Sequence, residues 1–176
     1  TPENKYVGYP LPSPDGRNVV FWGQHDFAAP GNQELWLAQG ADKPSRNLSA
    51  AAVDRNLYGT WWLPDSKRLV VSGNDGLGVG LWTLGLDGKA QKLSTGAVMP
   101  ANGYWVEGDV SRQGAIAFVG HTPESSGELY LMDSVSAAPR KLTTVNGWNA
   151  SMKLGRMEEV HWKGRSEEHT SELQSH

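Results

Sequence analysis

Leu63-Pro64-Asp65-Ser66, running almost directly into the apolar stretch Leu69-Val70-Val71-Ser72, is the middle one of three related passages. Gly80-Leu81-Trp82-Thr83 and Gln91-Lys92-Leu93-Ser94 complete that copy. Upstream the same order reads Ser13-Pro14-Asp15-Gly16, Val19-Val20-Phe21-Trp22, Glu34-Leu35-Trp36-Leu37 and Arg46-Asn47-Leu48-Ser49. Downstream it reads Ser111-Arg112-Gln113-Gly114, Ile116-Ala117-Phe118-Val119, Glu128-Leu129-Tyr130-Leu131 and Arg140-Lys141-Leu142-Thr143. Corresponding positions repeat at 50 and 48 residues for Gly16, Ser66 and Gly114, at 46 and 48 for Trp36, Trp82 and Tyr130, and at 45 and 49 for Leu48, Leu93 and Leu142. A period between 20 and 50 residues marks stacked or radially repeated units.

Turn chemistry divides each copy into four short strands. One strand leads into the Pro-Asp-Gly type turn, where Pro presets φ and Asp or Gly closes the turn, and an apolar β-branched or aromatic strand follows at once. A polar or glycine-rich loop, such as Asn74-Asp75-Gly76-Leu77-Gly78, precedes the aromatic strand around Trp36, Trp82 or Tyr130. A second turn, Leu86-Asp87-Gly88-Lys89 in the middle copy, leads to a short last strand ending in Leu-Ser or Leu-Thr. Helical repeats share the period, but these copies carry no apolar stripe at i, i+3, i+4. The expected fold is all-β, a partial β-propeller of about three four-stranded blades belonging to a larger closed ring of four to eight. The blades fall near residues 5–49, 57–94 and 103–143, within an incomplete propeller spanning 1–145. Open blade faces and strand edges lead to the expectation that the chain alone is poorly soluble or aggregated.

Composition limits the partners. The 176 residues include 21 Gly, 10 Pro and 8 Trp, a turn-rich and aromatic mixture. A net charge of −3 supplies no basic field, so nucleic acid is not an expected partner. No apolar run approaches the ~20 residues that cross a bilayer, and the N-terminal stretch lacks the order of a signal peptide, so no membrane partner is expected. With no Cys there is no thiol nucleophile, disulfide or Cys-ligated zinc.

The sequence points to no catalytic, cofactor-binding or metal residue in the chain. A hydrolase nucleophile elbow needs G-x-S-x-G, and no Ser has Gly at both second-neighbour positions. Ser72, before Gly73, comes nearest, yet Val70 precedes it and it reads as a structural residue where a strand passes into a loop. His25, His121 and His161 lie far apart and form no ligand pair. Gly76-Leu77-Gly78-Val79-Gly80 lacks phosphate-loop spacing and precedes a strand, so it reads as a flexible inter-strand loop. Glu158 and Glu159 are adjacent, and in a strand neighbouring side chains point to opposite faces. Most Trp residues sit at blade positions and read as packing, while Trp105 and Trp148 fall outside the repeat register. Asn47-Leu48-Ser49 and Asn149-Ala150-Ser151 match a glycosylation sequon that is often met by chance.

Both ends read as cut. The chain opens at Thr1 inside turn-rich sequence, and residues 165–176, RSEEHTSELQSH, show no helix or strand period. That tail resembles the translation of a sequencing adapter and is expected to be an artefact or disordered, outside the fold. It removes Arg165, Glu167, Glu168 and Glu172 from the count, bringing the charge from −3 to −1.

The S-P-D-G turns, the Trp62-to-Lys67 variant W-L-P-D-S-K and the Leu-Ser/Thr blade ends resemble TolB-like and WD40-like propellers. Arg140-Lys141-Leu142-Thr143-Thr144-Val145-Asn146, followed by Leu154 through Gly164, is similar to the exit from the propeller in the prolyl oligopeptidase family of serine peptidases, particularly its acylaminoacyl-peptidase and dipeptidyl-peptidase-like members. The resemblance implies that residues 146–164 lead toward an α/β-hydrolase domain absent from this sequence. That domain would carry a Ser-Asp-His triad acting on short peptide substrates, behind a propeller that restricts access. It implies a non-catalytic segment here, no cofactor, and a homo-oligomeric parent as one arrangement. The alternative is a TolB-like scaffold that binds proteins without catalysis, or the same propeller joined to another hydrolase.

Overall fold

The computed structural model describes residues 6–24, 32–100, 107–123, 125–148, 152, 157–163 and 169–175, and contains no α-helix among them. The first antiparallel sheet has the order β1 (Tyr6–Pro12), β2 (Val19–Gln24), β3 (Glu34–Ala38) and β4 (Arg46–Asn47). The second consists of β5 (Leu57–Trp62), β6 (Arg68–Asp75), β7 (Gly78–Gly85) and β8 (Ala90–Lys92). In the third, β10 (Gly108–Val110), β11 (Ile116–Thr122), β12 (Ser125–Met132) and β13 (Arg140–Lys141) follow in turn, with β9 (Met99–Pro100) also pairing with β11. Strands neighbouring in sequence are neighbours in space, and each sheet holds one copy of the repeat. The chain is all-β, a partial propeller of three blades.

The turn after the first strand is built alike three times. Gly16, Ser66 and Gly114 have φ of 71°, 56° and 87°, and their N–H groups donate to the carbonyls of Ser13, Leu63 and Ser111 at 2.8, 3.1 and 2.9 Å. Asp15 and Asp65 fold back to accept the N–H of Arg17 and Lys67, at 3.1 and 2.9 Å. The Ser13 hydroxyl, then the Arg17 N–H, hold the Asp15 carboxyl below its ordinary pKa. At Asp65 burial pushes the other way, but hydrogen bonds from the Arg68 side chain and two backbone N–H groups prevail and lower it. The third copy lacks this Asp, and the Ser111 hydroxyl takes over by accepting from Gln113 N and Ala115 N at 3.2 and 3.0 Å.

The blade ends are equally regular. Leu48, Leu93 and Leu142 donate their N–H to the carbonyls of Leu35, Leu81 and Leu129 at 2.8, 2.8 and 2.7 Å. In the outer two blades the next residue is a hydroxyl that reaches back: Ser49 Oγ accepts from Leu35 N and Thr143 Oγ1 from Leu129 N, both at 2.9 Å. The Leu-Ser/Thr signature is therefore a closing clasp on the third strand. Asn47 is engaged in the same clasp, its Oδ1 accepting from Ser49 N and Ala50 N, so the first sequon has a structural use.

Side-chain alternation sorts each sheet into two faces. Val20, Trp22, Leu35, Leu37 and Leu48 of the first blade meet Leu57, Leu69, Val71, Trp82 and Leu84 of the second in one buried cluster. Val70, Leu81 and Leu93 from the opposite face of the second blade meet Ile116, Phe118, Tyr130 and Met132 of the third in another. The middle blade is thus buried on both sides, and β6 is continuously buried from Leu69 to Gly73 while β3 and β11 alternate. Trp62 and Trp61, consecutive in β5, point into the first and second cluster respectively. Trp62 Nε1 also donates to Leu11 O at 3.0 Å across the blade boundary. Trp61 lies over Gly59 and Gly108, where an added Cβ would stand 2.4 and 3.2 Å from its ring, so glycine at both places lets the first strands of neighbouring blades approach.

Several features depart from the sequence expectation. Asn74 and Asp75 belong to β6 and Gly78-Val79-Gly80 to β7, leaving only Gly76-Leu77 as a two-residue hairpin turn with Gly76 at φ 58°. The cross-strand ladder, continued to Asp75 opposite Gly78, overrides the glycine-rich composition. Ser72 accordingly lies within a strand and not at its end. Blade three starts earlier than residue 103, because Met99–Pro100 pairs with Gly120 and His121 of β11. Finally, His169–Ser175 forms a strand, β15, antiparallel to β14 (Met157–Lys163), so the tail carries regular structure through main-chain pairing. That two-stranded sheet is separate from the three blades.

Ser66 is a non-glycine residue held at positive φ, and its Oγ accepts the N–H of Asp15 from the neighbouring blade at 3.1 Å. Replacing it by Gly relieves about 1 kcal/mol of left-handed strain and forfeits a hydrogen bond of about 1 kcal/mol, leaving stability nearly unchanged. Ser66→Ala loses the bond and keeps the strain. Urea unfolding should place the Ala variant about 1 kcal/mol below the Gly variant and about 1 kcal/mol below the parent chain; an Ala variant with the parent's midpoint would exclude the inter-blade bond.

Candidate functional site

The residues weighed for chemistry do not converge. Ser72 is 0% exposed between the second and third blades, and its Oγ finds no hydrogen-bond partner among the described residues. A nucleophile needs both an activating base and access for substrate, and this hydroxyl has neither. His121 lies near the end of β11, His25 lies outside the described residues, and only the backbone of His161 is described, in β14. Glu158 and Glu159 are consecutive in the backbone of β14. No group of three His, Asp or Glu among the described residues is disposed to hold a metal ion. Trp105 and the sequon at Asn149 lie outside the described residues, whereas Trp148 is described and 60% exposed.

A groove at one end of the second blade is lined by Lys67, Arg68, Thr83, Asp87, Lys89 and Gln91. Its cations are largely balanced within the protein. Arg68 Nε meets Asp65 Oδ2 at 2.7 Å, and Lys89 Nζ meets Asp87 Oδ2 at 3.6 Å. The Lys89 backbone N–H lowers the Asp87 pKa, keeping that carboxylate charged. The Arg46 guanidinium also hydrogen-bonds the Leu86 carbonyl from the first blade. That bond ties the first blade to this end of the second, beside a groove whose cations are mostly paired.

The most organised polar site lies where the chain leaves the third blade. Glu128, at the third-strand position occupied by Glu34 in the first blade, is 3% exposed. Its Oε2 accepts Thr143 Oγ1 at 2.5 Å and Val145 N at 3.0 Å, while Oε1 accepts Asn146 N at 2.8 Å. Asn146 Nδ2 returns a bond to Gly127 O at 2.6 Å. The Leu-Thr-x-x-Asn pattern is therefore a carboxylate knot: Thr143 faces Glu128 from the blade-end clasp, and three residues later Asn146 closes the loop on the same strand. The Thr143 hydroxyl first, then the Asn146 and Val145 N–H groups, outweigh burial and hold the Glu128 pKa below its ordinary value. In the first blade the pairing is simpler, Asn47 Nδ2 donating to Glu34 Oε2 at 2.5 Å. Sequence reasoning named the Thr-to-Asn segment and missed Glu128, although Glu before Leu-aromatic-Leu recurs in copies one and three.

A second recurring feature is an irregularity in the first strand of every blade. The register shifts between Gly8 and Leu11 opposite β2, and between Leu57 and Gly59 opposite β6. In the third blade Pro100 pairs with Gly120 and Gly108 with Phe118, so the chain between β9 and β10 is an insertion at the corresponding level. Bulges are places where a strand admits extra residues and redirects side chains.

No protein-family model matches the chain, and no curated protein matches it. Solved structures do. Acylaminoacyl peptidase from Pyrococcus horikoshii is similar over 94% of this chain and 24% of its own, with a TM-score of 0.69 and 16% identity. TolB from Acinetobacter baumannii is similar over 96% of this chain and 40% of its own, at 0.55 and 18%. The β-propeller domain of the Trilobed protease from Pyrococcus furiosus is similar over 79% and 40%, at 0.56 and 19%. The chain spans roughly a quarter to two-fifths of these proteins, and peptidases and TolB propellers alike share its propeller fold.

A carboxylate with a depressed pKa contributes stability that is present above its unfolded value and is lost as pH falls through the folded one. The Glu128 knot should therefore hold Val145 and Asn146 at neutral pH and release them in acid. Hydrogen exchange at these two amides should show protection that declines below the ordinary carboxylate range. In Glu128→Gln that protection should be on the order of tenfold lower at neutral pH and nearly flat with pH. Unchanged protection in the variant would remove the carboxylate from this role.

Proposed function

We propose that this chain is the propeller portion of a serine-type oligopeptidase, where it restricts access of short peptides to a hydrolase domain carrying the Ser-Asp-His triad. The observation that carries the reading is the likeness to the acylaminoacyl peptidase, whose TM-score of 0.69 exceeds the 0.55 and 0.61 of two TolB structures over nearly the same share of the chain. The Glu128 knot supports it, because a segment leading to a second domain is best launched from a fixed point on the last blade. A propeller is stiff and hollow, so it screens by size: short extended peptides pass and folded proteins do not. On this reading the blades contribute no group to bond cleavage, which agrees with the burial of Ser72.

The second reading, a TolB-like scaffold binding a protein through its blade-top loops, rests on the 96% coverage by TolB. The two diverge beyond residue 164. The peptidase reading requires the source DNA, read across codon 164 with adapter-trimmed long reads, to continue in frame into G-x-S-x-G, then Asp, then His. The protein translated from that DNA should be labelled by a fluorophosphonate serine probe, while the 176-residue chain is not. Further blades, or a genuine stop after residue 176, would overturn the peptidase reading and leave the scaffold.

A further inference from the structure

We propose that the β6–β7 hairpin is a two-point clamp on the crossover from the second blade to the third, ionic at its entry and apolar at its exit, so that ionic strength loosens this crossover and spares the one before it. The inference rests on contacts between the described blades and holds for a peptidase propeller and a TolB-like scaffold alike.

The crossover leaves β8 at Lys92 and enters β9 at Met99. Lys92 Nζ meets Asp75 Oδ2 at 2.5 Å. Asp75 ends β6, and β7 lies between β6 and β8, so this ion pair reaches over an intervening strand. The pairs Arg68–Asp65 and Lys89–Asp87, by contrast, stay within one turn. Gly80 of β7 makes the reach possible: a Cβ there would stand 3.1 Å from both Cβ and Oδ2 of Asp75. At the exit Met99 lies against the same hairpin, its Sδ 3.2 Å from the place a Cβ on Gly78 would take. An unbranched thioether fills such a close, irregular contact well. Between the two points Leu93 and Val98 join the apolar cluster shared by the second and third blades.

The first crossover follows the same plan with different chemistry. Lys92 lies opposite Trp82 as Asn47 lies opposite Trp36, and Gly80 holds the repeat position of Glu34. At the entry Asn47 Nδ2 donates to Glu34 Oε2 at 2.5 Å. At the exit Gln33 N donates to Asn56 Oδ1 at 2.8 Å, and Leu57 N to Gln33 O at 3.3 Å. In both copies, residues around the start of the third strand hold the two ends of the crossover. The first copy does so with amides, whereas the second sets the Asp75 carboxylate against a full ammonium. The Lys92 and Asp75 side chains are 56% and 30% exposed, so the ionic atmosphere reaches them. Its screening length falls from about 30 Å in 0.01 M salt to about 3 Å in 1 M.

Hydrogen exchange on the 176-residue chain reads both crossovers, because Leu93 N–H bonds Leu81 O and Leu48 N–H bonds Leu35 O, each at 2.8 Å. Raising sodium chloride from about 0.01 M to about 1 M should speed exchange at Leu93 about threefold and leave Leu48 unchanged. Asp75→Asn should show the faster rate already at low salt, with no further response. The reversed pair, Asp75→Lys with Lys92→Asp, should restore both the slow rate and the salt response. Met99→Ala should speed exchange at Val98, whose N–H bonds Thr95 O at 3.1 Å, and keep the salt response at Leu93. An equal salt response at Leu48 and Leu93, a parent rate at Leu93 in Asp75→Asn, a reversed pair that restores nothing, or unchanged exchange at Val98 in Met99→Ala would each overturn the proposal.

Discussion

The structure depends on one constraint, that the two faces of a blade are unlike and fit each other. A four-stranded meander alone leaves both apolar faces wet, and its internal ladder does nothing to cover them. Burial comes only from the next blade, Leu35 and Leu37 against the positions of Leu69 and Leu84, Leu81 against Phe118 and Met132. Polar crossings such as Trp62 to Leu11 and Asp15 to Ser66 help set the relative position of blades that apolar contact draws together. Glycine contributes where the first strands of the second and third blades approach, with Trp61 lying over Gly59 and Gly108.

The repeat and its turns were legible because they are written in local chemistry. A Pro-Asp-Gly turn closes on its own carbonyl, and a Leu-Ser or Leu-Thr end clasps a strand a few residues back, so both leave a mark in short windows of sequence. What escaped depends on distant partners. Asp75 and Gly78 are strand residues because each has the other opposite, and composition alone makes them a loop. Met99–Pro100 is too short to show a period, and pairs only because β11 runs past β10. His169–Ser175 has no apolar alternation, and its strand is defined by the main chain of β14.

The polar organisation was legible in part. The Thr143-to-Asn146 segment stood out in the sequence, but its physical reason lies 15 to 18 residues earlier, in a Glu that belongs to another strand. Hydroxyl and carboxylate are chosen there for the same purpose as in the turns: to occupy backbone N–H groups at places where a ladder ends. Asp15, Asp65, Asp87 and Glu128 are all held in their charged form by hydrogen bonds there, from the Ser13 hydroxyl, the Arg68 side chain, the Lys89 N–H and the Thr143 hydroxyl first among them. Depressed carboxylates in this protein mark the ends of strands and are not by themselves signs of catalysis.

Among the described residues the second blade is the one covered on both sides, so the described blades form a short row of coupled units with nearest-neighbour terms. An end blade can open at the cost of one interface, the central blade only at the cost of two. Fluctuations should accordingly be graded inward, with β6 and β7 the slowest to exchange their amides. The row then has a natural nucleus at its centre, from which order spreads in both directions along the chain.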